Sequence, residues 1–269
     1  MKETAIVYMV AGMSSRFGGR VKQFAQVGPN GETLIEYSLN QAIKSGFNKI
    51  VFIIGNKTGV FFKEKFGDNY KGVPVFYAMQ KYDKNERDKP LGTGDALCSA
   101  KEILNSGFVI CNGDDIYGEN AFKILFEHLQ ENEDEASLGY KLMGVIPETG
   151  KVHRGIFKVD SHNYVKDLVE TFNIEKYNLH ATKTKPENLV SMNIFALHPV
   201  VIRLLEENLE IFKKENKNDR KIEFLLPTEL SRLIKENKIK MKLYPCNEKW
   251  LGITNPEDEE IVRKMLADS

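Results

Sequence analysis

The chain has 269 residues, which is long enough to bury a substantial core as one large domain or as a domain with an insertion. Its 38 lysine and arginine residues balance 38 aspartate and glutamate residues, so the formal net charge at pH 7 is zero. A general binder of nucleic acid or of anionic membranes would carry a basic surface, so both partner classes are disfavoured.

Cysteine usage and apolar runs indicate the cellular compartment. Cys98, Cys111 and Cys246 are widely spaced and form no CxxC pair, which argues against a disulfide framework or a zinc cluster. The longest apolar runs, such as residues 50–54, fall far short of the roughly 20 residues that span a bilayer. We therefore expect a soluble, cytoplasmic protein without a membrane partner.

The first half of the chain alternates short apolar runs with helical patterns. The predicted strands are residues 5–10, 50–54, 73–77, 108–111 and 137–143, and the predicted helices are residues 34–45, 60–66, 94–104 and 120–131. Continuous β-branched strands alternating with helices predict an α/β fold with a mostly parallel sheet flanked by helices. Ligands of such sheets bind at the carboxyl ends of the strands, so we expect the loops after Val10, Tyr77 and Cys111 to share one crevice.

The second half is richer in strands. Its predicted elements are a hairpin of residues 155–159 and 164–169 around a turn at 160–163, a strand at 189–197, helices at 200–212 and 224–236, a strand at 241–244 and a helix after Pro256. The polar residues 213–221 predict a solvated loop. Because no repeat or long linker interrupts the chain, we predict a single domain over residues 1–269.

A turn of small residues follows the first strand directly, with the sequence AGMSSRFGGRVKQ at residues 11–23. Small residues let the backbone approach a ligand, and successive N–H groups in such a turn can form an anion-binding concavity. Arg16 can fork onto phosphate oxygens, and Lys22 can act as a point charge. The segment matches neither GxGxxG nor the P-loop pattern. Taken alone, a purely structural turn explains it equally well.

Two further polar segments follow predicted strands. Gln80 precedes a PLGTGDA stretch, and a glutamine amide can pair with a pyrimidine edge through one donor and one acceptor, completed by a backbone group at Gly92. The alternative is that Thr93 to Asp95 only cap the following helix. Asp114, in the NGDD sequence after the fourth strand, is placed to hold Mg²⁺ together with substrate phosphates, although a simple turn is the competing interpretation.

The segment AGMSSRFGG…KQ resembles the N-terminal signature of the sugar-phosphate nucleotidyltransferases, and the resemblance continues in order over nearly the whole chain. It implies a Rossmann-like, GT-A-like fold, with a nucleotide-binding part at residues 1–135 and a smaller β-rich sugar-binding part with C-terminal helices at 136–269. It also implies nucleotide contacts from the loop, with Arg16 at the β- and γ-phosphates and Lys22 at the α-phosphate. The remaining implied nucleotide-binding residues are Ala11, Gly12, Met13, Ser14, Ser15, Gln80, Gly92 and Thr93.

The LGTG stretch is most similar to that of uridylyltransferases for N-acetylglucosamine-1-phosphate, in which His usually stands at the position of Asp95. By the same resemblance, Asp114 is the metal-binding aspartate and Asp115 lies behind it. The second metal ligand of many relatives is an Asp in a Trp-x-Asp segment, where this chain has Gly252. Thr254 or Asn255 could substitute, or Asn255 could simply begin the last helix.

The resemblance also implies sugar contacts from Gly155, Glu170 and Asn193, because buried sugar hydroxyls need converging polar partners. Relatives often carry a lysine directly after that glutamate to hold the sugar phosphate, and this chain has Thr171 there. Lys176 or Arg154 would then have to serve, or the metal and Lys22 suffice.

The implied reaction joins an NTP, with UTP favoured, to a sugar-1-phosphate (N-acetylglucosamine-1-phosphate or glucose-1-phosphate), releases pyrophosphate and uses Mg²⁺. The alternatives are a thymidylyl- or cytidylyltransferase, a non-catalytic nucleotide-sugar-binding regulatory module, and a metal-dependent glycosyltransferase. A homo-oligomer is left open. The chain ends about where the family's catalytic domain ends, so we expect no appended acyltransferase or β-helical domain.

Overall fold

A computed structural model describes residues 2–12 and 17–267. Its strands are β1 Ala5–Met9, β2 Lys49–Ile54, β3 Asn69–Tyr70, β4 Val73–Met79, β5 Phe108–Asn112, β6 Asp115–Ile116, β7 Glu135–Lys141, β8 Val152–Val159, β9 Val165–Ile174, β10 Leu189–Val190, β11 Phe195–Leu197, β12 Met241–Cys246 and β13 Leu251–Gly252. Its helices are α1 Leu34–Ser45, α2 Gly59–Phe66, α3 Thr93–Cys98, α4 Glu119–Glu131, α5 Pro199–Glu215, α6 Leu226–Lys235 and α7 Asp258–Ala267.

One large sheet runs through both halves of the chain, in the order β3-β4-β2-β1-β5-β11-β7-β10-β8-β9, with β12 on the other edge of β7. The strands β4, β2, β1 and β5 are parallel, with Ala5 opposite Lys49 on one side and Phe108 on the other. β11 joins them antiparallel, and β8 and β9 form a long antiparallel ribbon. The prediction of an α/β fold with a mainly parallel, mixed sheet flanked by helices is confirmed.

Alternating side chains of each central strand are buried on both faces, which explains the continuous apolar runs in the sequence. Ile6 and Tyr8 of β1 pack in one core with α1 and α4, whereas Ala5 and Val7 pack in the other with α3, α5 and α6. A third, smaller cluster joins Phe17 to β13 and α7. This cluster fixes the C-terminal segment against the chain that follows the first strand. Within residues 2–12 and 17–267, no helix is both long and apolar enough to cross a membrane.

The predicted single strand over residues 189–197 is wrong. Asn193 has φ of 57°, a left-handed conformation that breaks the extended chain, so β10 and β11 are separate strands on either side of it. Both still pair with β7, and β10 also reaches β8. At the break, residues 191–193 line the cavity described below.

Two helix predictions also differ from the structure. The helix predicted at 94–104 ends at Cys98, because the amides of Ala100 and Lys101 bond three residues back and tighten the chain into turns. The predicted loop at 213–221 begins inside α5, which continues to Glu215. Arg220 of this segment binds the Asp88 carboxylate at 2.8 Å, so the remaining loop is attached to residues 84–88 rather than freely solvated.

The predicted hairpin is confirmed and is longer than expected, since β8 and β9 extend it to Val152 and Ile174. Asp160 organises its turn by accepting hydrogen bonds from the amides of His162 and Tyr164, each at 2.9 Å. Asn163 takes the left-handed position with φ of 60°. The turn chemistry visible in the sequence therefore sets the start of the ribbon.

Candidate functional site

The loops after β1 and β5 meet because these two strands are parallel neighbours whose carboxyl ends lie at one edge of the sheet. Glycines make the close approach possible. A Cβ on Gly55 would lie 2.6 Å from the Ala11 carbonyl oxygen, and a Cβ on Gly113 would overlap Val10. Gly12 is exposed at this edge, with open space where its Cβ would be. The loop after β4 is one strand further away, because β2 lies between β4 and β1.

Lys22 and Asp114, which are 92 positions apart in the sequence, form an ion pair at this edge. Lys22 begins a short 3-10 turn, and its Nζ also lies 3.4 Å from the carbonyl oxygen of Ile253. The two side chains are 18% and 26% exposed, so the pair opens to solvent on one side. Met13, Ser14, Ser15 and Arg16 lie outside the described residues, so of the predicted site residues in the phosphate loop the structure places Ala11, Gly12 and Lys22.

Asp115 supplies a second carboxylate next to Asp114. It is 5% exposed, and its Oδ2 accepts a hydrogen bond from Asn112 at 2.9 Å and lies 3.1 Å from the Tyr117 hydroxyl. Burial, together with the negative charge of Asp114, raises the pKa of Asp115 to about 7. We call Lys22, Asp114 and Asp115 the strand-edge cluster.

Gly252 lies directly opposite Asp115 in the pairing of β13 with β6. A Cβ at position 252 would lie 2.8 Å from Oδ1 of Asp115 and 2.5 Å from the Trp250 ring. The carboxylate of Asp115 therefore occupies space that an aspartate at position 252 would need. The sequence departs from the Trp-x-Asp pattern at the place where a neighbouring strand provides a carboxylate.

The two other candidates for a second metal ligand differ in position. The backbone amides of Thr254 and Asn255 both bind the Asp258 carboxylate, at 2.8 and 2.7 Å, so this segment does lead into α7. Thr254 also lines a cavity together with Asp115, whereas Asn255 does not. In the described part of the chain, no group of three or more His, Cys, Asp or Glu side chains could hold a metal. The donor set fits Mg²⁺, which one or two carboxylates hold together with substrate phosphates.

Gln80 lies at the end of β4, is 6% exposed and uses both amide protons within the protein. Its Nε2 donates to the carbonyl oxygen of Gly92 and to the Asp95 carboxylate, each at 2.9 Å. Because both partners are acceptors, the orientation of the amide is set by chemistry. The donor expected for a base is therefore engaged. Among the described residues, Oε1 of Gln80 and the amide N–H of Gly92 have no hydrogen-bond partner.

The residues around Gln80 also have structural roles. Gly92 has φ of 115°, and a Cβ there would lie 2.7 Å from the Phe224 carbonyl oxygen, so glycine is required. Thr93 begins α3, and its hydroxyl accepts a hydrogen bond from the Leu226 amide at 2.9 Å, which ties α3 to α6. Gly92 is the N-cap residue of α3 and Asp95 lies in its first turn, but no side chain caps the helix, so the predicted capping by Thr93 is wrong. The Gly92 amide stays available.

The three predicted sugar contacts, Gly155, Glu170 and Asn193, line one open cavity of about 410 Å³. Gly155 and Glu170 are cross-strand partners in the β8–β9 ribbon, and Asn193 enters from the break between β10 and β11. Burial raises the pKa of Glu170, although His153 and Arg154 oppose the shift. Asp115 and Thr254 line the same cavity, so it adjoins the strand-edge cluster. We call this space the ribbon cavity.

Arg154 and Lys176, the two cations considered for the sugar phosphate, are separated by the structure. Arg154 lines the ribbon cavity, whereas Lys176 does not and forms an ion pair with Glu148. Trp250 also lines the cavity. In the sequence it entered only as the first residue of the Trp-x-Asp comparison at Gly252. The contacts of Arg154 with Val145 and of Asp95 with Gln80 could not be predicted from spacing, because each joins separate segments of the chain.

The fold and these positions define an α/β protein that gathers its polar side chains at the carboxyl edge of the sheet and in the adjoining ribbon. The family model for nucleotidyl transferases matches residues 19–265, and the chain therefore belongs to that family. The resemblance to sugar-phosphate nucleotidyltransferases is thereby confirmed. Members of the family typically use a divalent metal ion.

The chain is similar to a UTP–glucose-1-phosphate uridylyltransferase (AglF) of Haloferax volcanii, with 25% identity over 172 residues that cover 64% of this chain and 62% of that protein. It is also similar to the bifunctional protein GlmU of Methanococcus vannielii, with 26% identity over 231 residues that cover 85% of this chain and 46% of that protein. The matched segments thus span about half to two thirds of these relatives.

Solved structures share the fold. An inositol-1-phosphate CTP transferase from T. maritima aligns with a TM-score of 0.69 and 17% identity, covering 98% of this chain and 95% of the other. A UDP-glucose pyrophosphorylase complexed with UDP-glucose aligns with a TM-score of 0.69 and 16% identity, covering 100% and 99%. At this identity the likeness establishes the architecture alone.

Proposed function

We propose that the protein transfers a nucleotidyl group from an NTP, with UTP favoured, to a sugar-1-phosphate, and forms an NDP-sugar and pyrophosphate. Glucose-1-phosphate and N-acetylglucosamine-1-phosphate are the proposed sugar substrates. The single observation that carries the proposal is the contact of Lys22 with Asp114 at a sheet edge that adjoins the ribbon cavity. A cation and carboxylates for phosphates thereby lie beside polar groups for a sugar.

The chemistry that this arrangement supports is in-line attack of a sugar-phosphate oxygen on the α-phosphorus, with departure of pyrophosphate. The attacking phosphate is already ionised, so no nucleophilic side chain is required, and positioning and charge neutralisation supply the catalysis. Lys22 neutralises charge at the α-phosphate. Asp114 and Asp115 would hold Mg²⁺, which supplies positive charge to the phosphate oxygens when bound.

Lys22 and Asp114 neutralise each other in the absence of ligands. Substrate binding must therefore replace this ion pair with contacts to the ligands. Asp114 would serve as a ligand of the metal ion, and Lys22 would then be available to the phosphates. Ala11 and Gly12 border the same edge, where Gly12 leaves open space for a close ligand. Met13, Ser14 and Ser15, with Arg16 at the β- and γ-phosphates, remain part of the proposal from the sequence.

Base recognition is proposed for the free carbonyl oxygen of Gln80 and the free amide of Gly92. One acceptor beside one donor matches N3–H and a flanking carbonyl of uracil or thymine. Cytosine satisfies the same pair only when it shifts so that its N4–H replaces N3–H. UTP is favoured because the LGTG stretch resembles that of uridylyltransferases and because one relative is named for UTP.

The test is pyrophosphate release from UTP, dTTP, CTP or ATP with a panel of sugar-1-phosphates and Mg²⁺. We expect release with UTP and one of the two proposed sugars. Release with dTTP or CTP alone would replace the nucleotide assignment. Binding of a nucleotide-sugar without any release would support the regulatory module, and sugar transfer from a nucleotide-sugar would support the glycosyltransferase. Lys22→Ala should abolish most of this release. Lys44→Ala is its matched control, because it removes an exposed lysine outside the site.

A further inference from the structure

The guanidinium of Arg154 lies in the ribbon cavity beside two carboxylates that do not reach it directly. Burial lowers the pKa of Arg154, and the charges of Asp115 and Glu170, which line the same cavity, oppose that shift. Its Nη1 and Nη2 donate to the carbonyl oxygens of His153 and Val145, each at 3.0 Å. No carboxylate of the described residues forms an ion pair with it. An arginine has five N–H donors, so most of this group's donor capacity is unused.

Two buried N–H donors near this point have no partner in the described structure. They are Nε of Arg154 and Nε1 of Trp250, and the guanidinium carbon lies 5.7 Å from the Trp250 ring centroid. Unsatisfied buried donors cost free energy, and native proteins seldom keep them without a purpose. Because both are donors on residues that line one cavity, the group that would satisfy them must offer acceptors. A phosphate offers acceptor oxygens and the opposite charge.

The position of Arg154 in the ribbon explains why it can take this role. Arg154 is the direct cross-strand partner of Thr171, so the two side chains leave the same face of the ribbon side by side. The register slips between Arg154 and Val152, where Asn173 has φ of 58°, and such a bulge bends a strand and re-aims neighbouring side chains. The side chain at position 154 therefore leaves the ribbon next to the side chain at position 171.

We propose that Arg154 binds the phosphate of the sugar-1-phosphate, and that a cation on β8 thereby replaces the one absent from position 171 on β9. This inference rests on the proposed function and names the residue that holds its second substrate. Lys176 is not required, because its ammonium pairs with Glu148 away from the cavity. The fork of Arg154 fits two phosphate oxygens at once.

Steady-state kinetics of Arg154→Gln test the inference. We expect the KM for glucose-1-phosphate or N-acetylglucosamine-1-phosphate to rise about 10- to 100-fold, as for a lost charge-assisted hydrogen bond, while the KM for UTP changes less than about twofold. Arg154→Lys should show an intermediate rise. Lys176→Gln is the matched control and should leave both constants unchanged. An unchanged sugar-phosphate KM in Arg154→Gln would overturn the inference.

Rescue separates substrate binding from a structural role. The double variant Arg154→Gln with Thr171→Lys should recover a large part of the lost sugar-phosphate affinity, whereas a merely structural arginine would not be replaced from the other strand. Failure of rescue together with equal losses for UTP and sugar phosphate would also overturn the inference.

Equilibrium binding distinguishes failure of the inference from failure of the proposed function. Glucose-1-phosphate is titrated into wild type and Arg154→Gln in the presence of a non-reactive UTP analogue. If wild type releases no pyrophosphate yet binds the sugar phosphate in an Arg154-dependent way, the inference stands and the reaction is wrong. If wild type is active and both proteins bind equally, the reaction stands and the inference is wrong. Absence of both activity and binding would overturn both.

Discussion

The strand-edge cluster and the ribbon cavity satisfy their polar groups in different ways. At the strand edge, Lys22 pairs with Asp114, and Asp115 is held by Asn112 and Tyr117. In the ribbon cavity, Arg154 forms no direct ion pair with a carboxylate of the described residues, although the charges of Asp115 and Glu170 oppose the fall in its pKa that burial causes. Partners within the protein engage the charges of the strand-edge cluster, whereas Nε of Arg154 and Nε1 of Trp250 in the ribbon cavity have no hydrogen-bond partner among the described residues.

This difference follows from the local architecture. Parallel strands with short loops bring the strand-edge groups together at close range, with glycines that permit the contacts. A bulge at Asn173 bends β9 of the antiparallel ribbon, and the ribbon lies beside the irregular segment in which Asn193 separates β10 from β11.

Removing the charges of the strand-edge cluster is expected to have the largest effect on activity. It is the most severe test of the difference between this cluster and the ribbon cavity. Lys22→Ala and Asp114→Asn should each lower kcat about 10²- to 10³-fold, because each removes charge stabilisation at the reacting phosphates. Pyrophosphate release measures the effect, and circular dichroism checks folding. Near-normal turnover in either folded variant would remove that residue from the proposed machinery.

Adding a carboxylate at position 252 tests whether Asp115 already occupies that space. Gly252→Asp should lower the free energy of unfolding by about 1–3 kcal/mol, because the new Cβ meets the Trp250 ring and the Asp115 carboxylate. Urea denaturation provides the measurement. Adding Asp115→Gly to this variant should recover part of the lost stability, because the contact with the Trp250 ring remains. A Gly252→Asp protein as stable as wild type would contradict the crowding.

The titration of Asp115 offers a pH test of the same cluster in metal-free protein. The folded state raises its pKa from 3.8 to about 7, through burial and the charge of Asp114, so the folded protein binds more protons than the unfolded chain in this window. The free energy of unfolding should therefore fall as the pH rises from about 4 to about 7. Denaturation in EDTA at several pH values measures the slope.

Asp115→Asn should flatten that slope, since the side chain no longer ionises. Mg²⁺ should reduce the slope in wild type if the ion binds the ionised carboxylates. An identical pH dependence in wild type and Asp115→Asn would show that another group sets it.

The smallest effect is expected at the base-recognition position. Asp95→Asn should lower the preference for UTP over CTP by a few-fold, because the Asn amide can turn either its oxygen or its nitrogen toward Gln80, whereas the Gly92 carbonyl still holds Nε2 in place. The ratio of kcat/KM for the two nucleotides measures the preference. An unchanged ratio would show that the Gly92 contact alone orients Gln80.

Much of the strand-edge cluster could be predicted from the sequence. Lys22 and Asp114 each follow an apolar run, and neighbouring parallel strands bring such loops to one edge. The register that places Asp115 opposite Gly252 was not predictable, because β6 and β13 have two residues each and carry no periodic signal.

Some of the residues that line the ribbon cavity could be predicted from the sequence, but their arrangement could not. Gly155, Glu170 and Asn193 were named from the resemblance, yet the apolar pattern of residues 189–197 concealed the break at Asn193. The pairing of Arg154 with Thr171 depends on a bulge, and a shift of one residue would move each side chain to the other face. For Gln80, the sequence indicated the residue but not that Asp95 and Gly92 engage both of its amide protons.

The most direct test of the central claim compares Lys22→Ala with Arg154→Gln in one kinetic series of pyrophosphate release from UTP and glucose-1-phosphate or N-acetylglucosamine-1-phosphate. The two regions should fail differently. Lys22→Ala should lose kcat with little change in the sugar-phosphate KM, and Arg154→Gln should raise that KM with a smaller change in kcat. Parallel losses of the same kinetic constant in both variants would contradict a division of roles between the strand edge and the ribbon cavity.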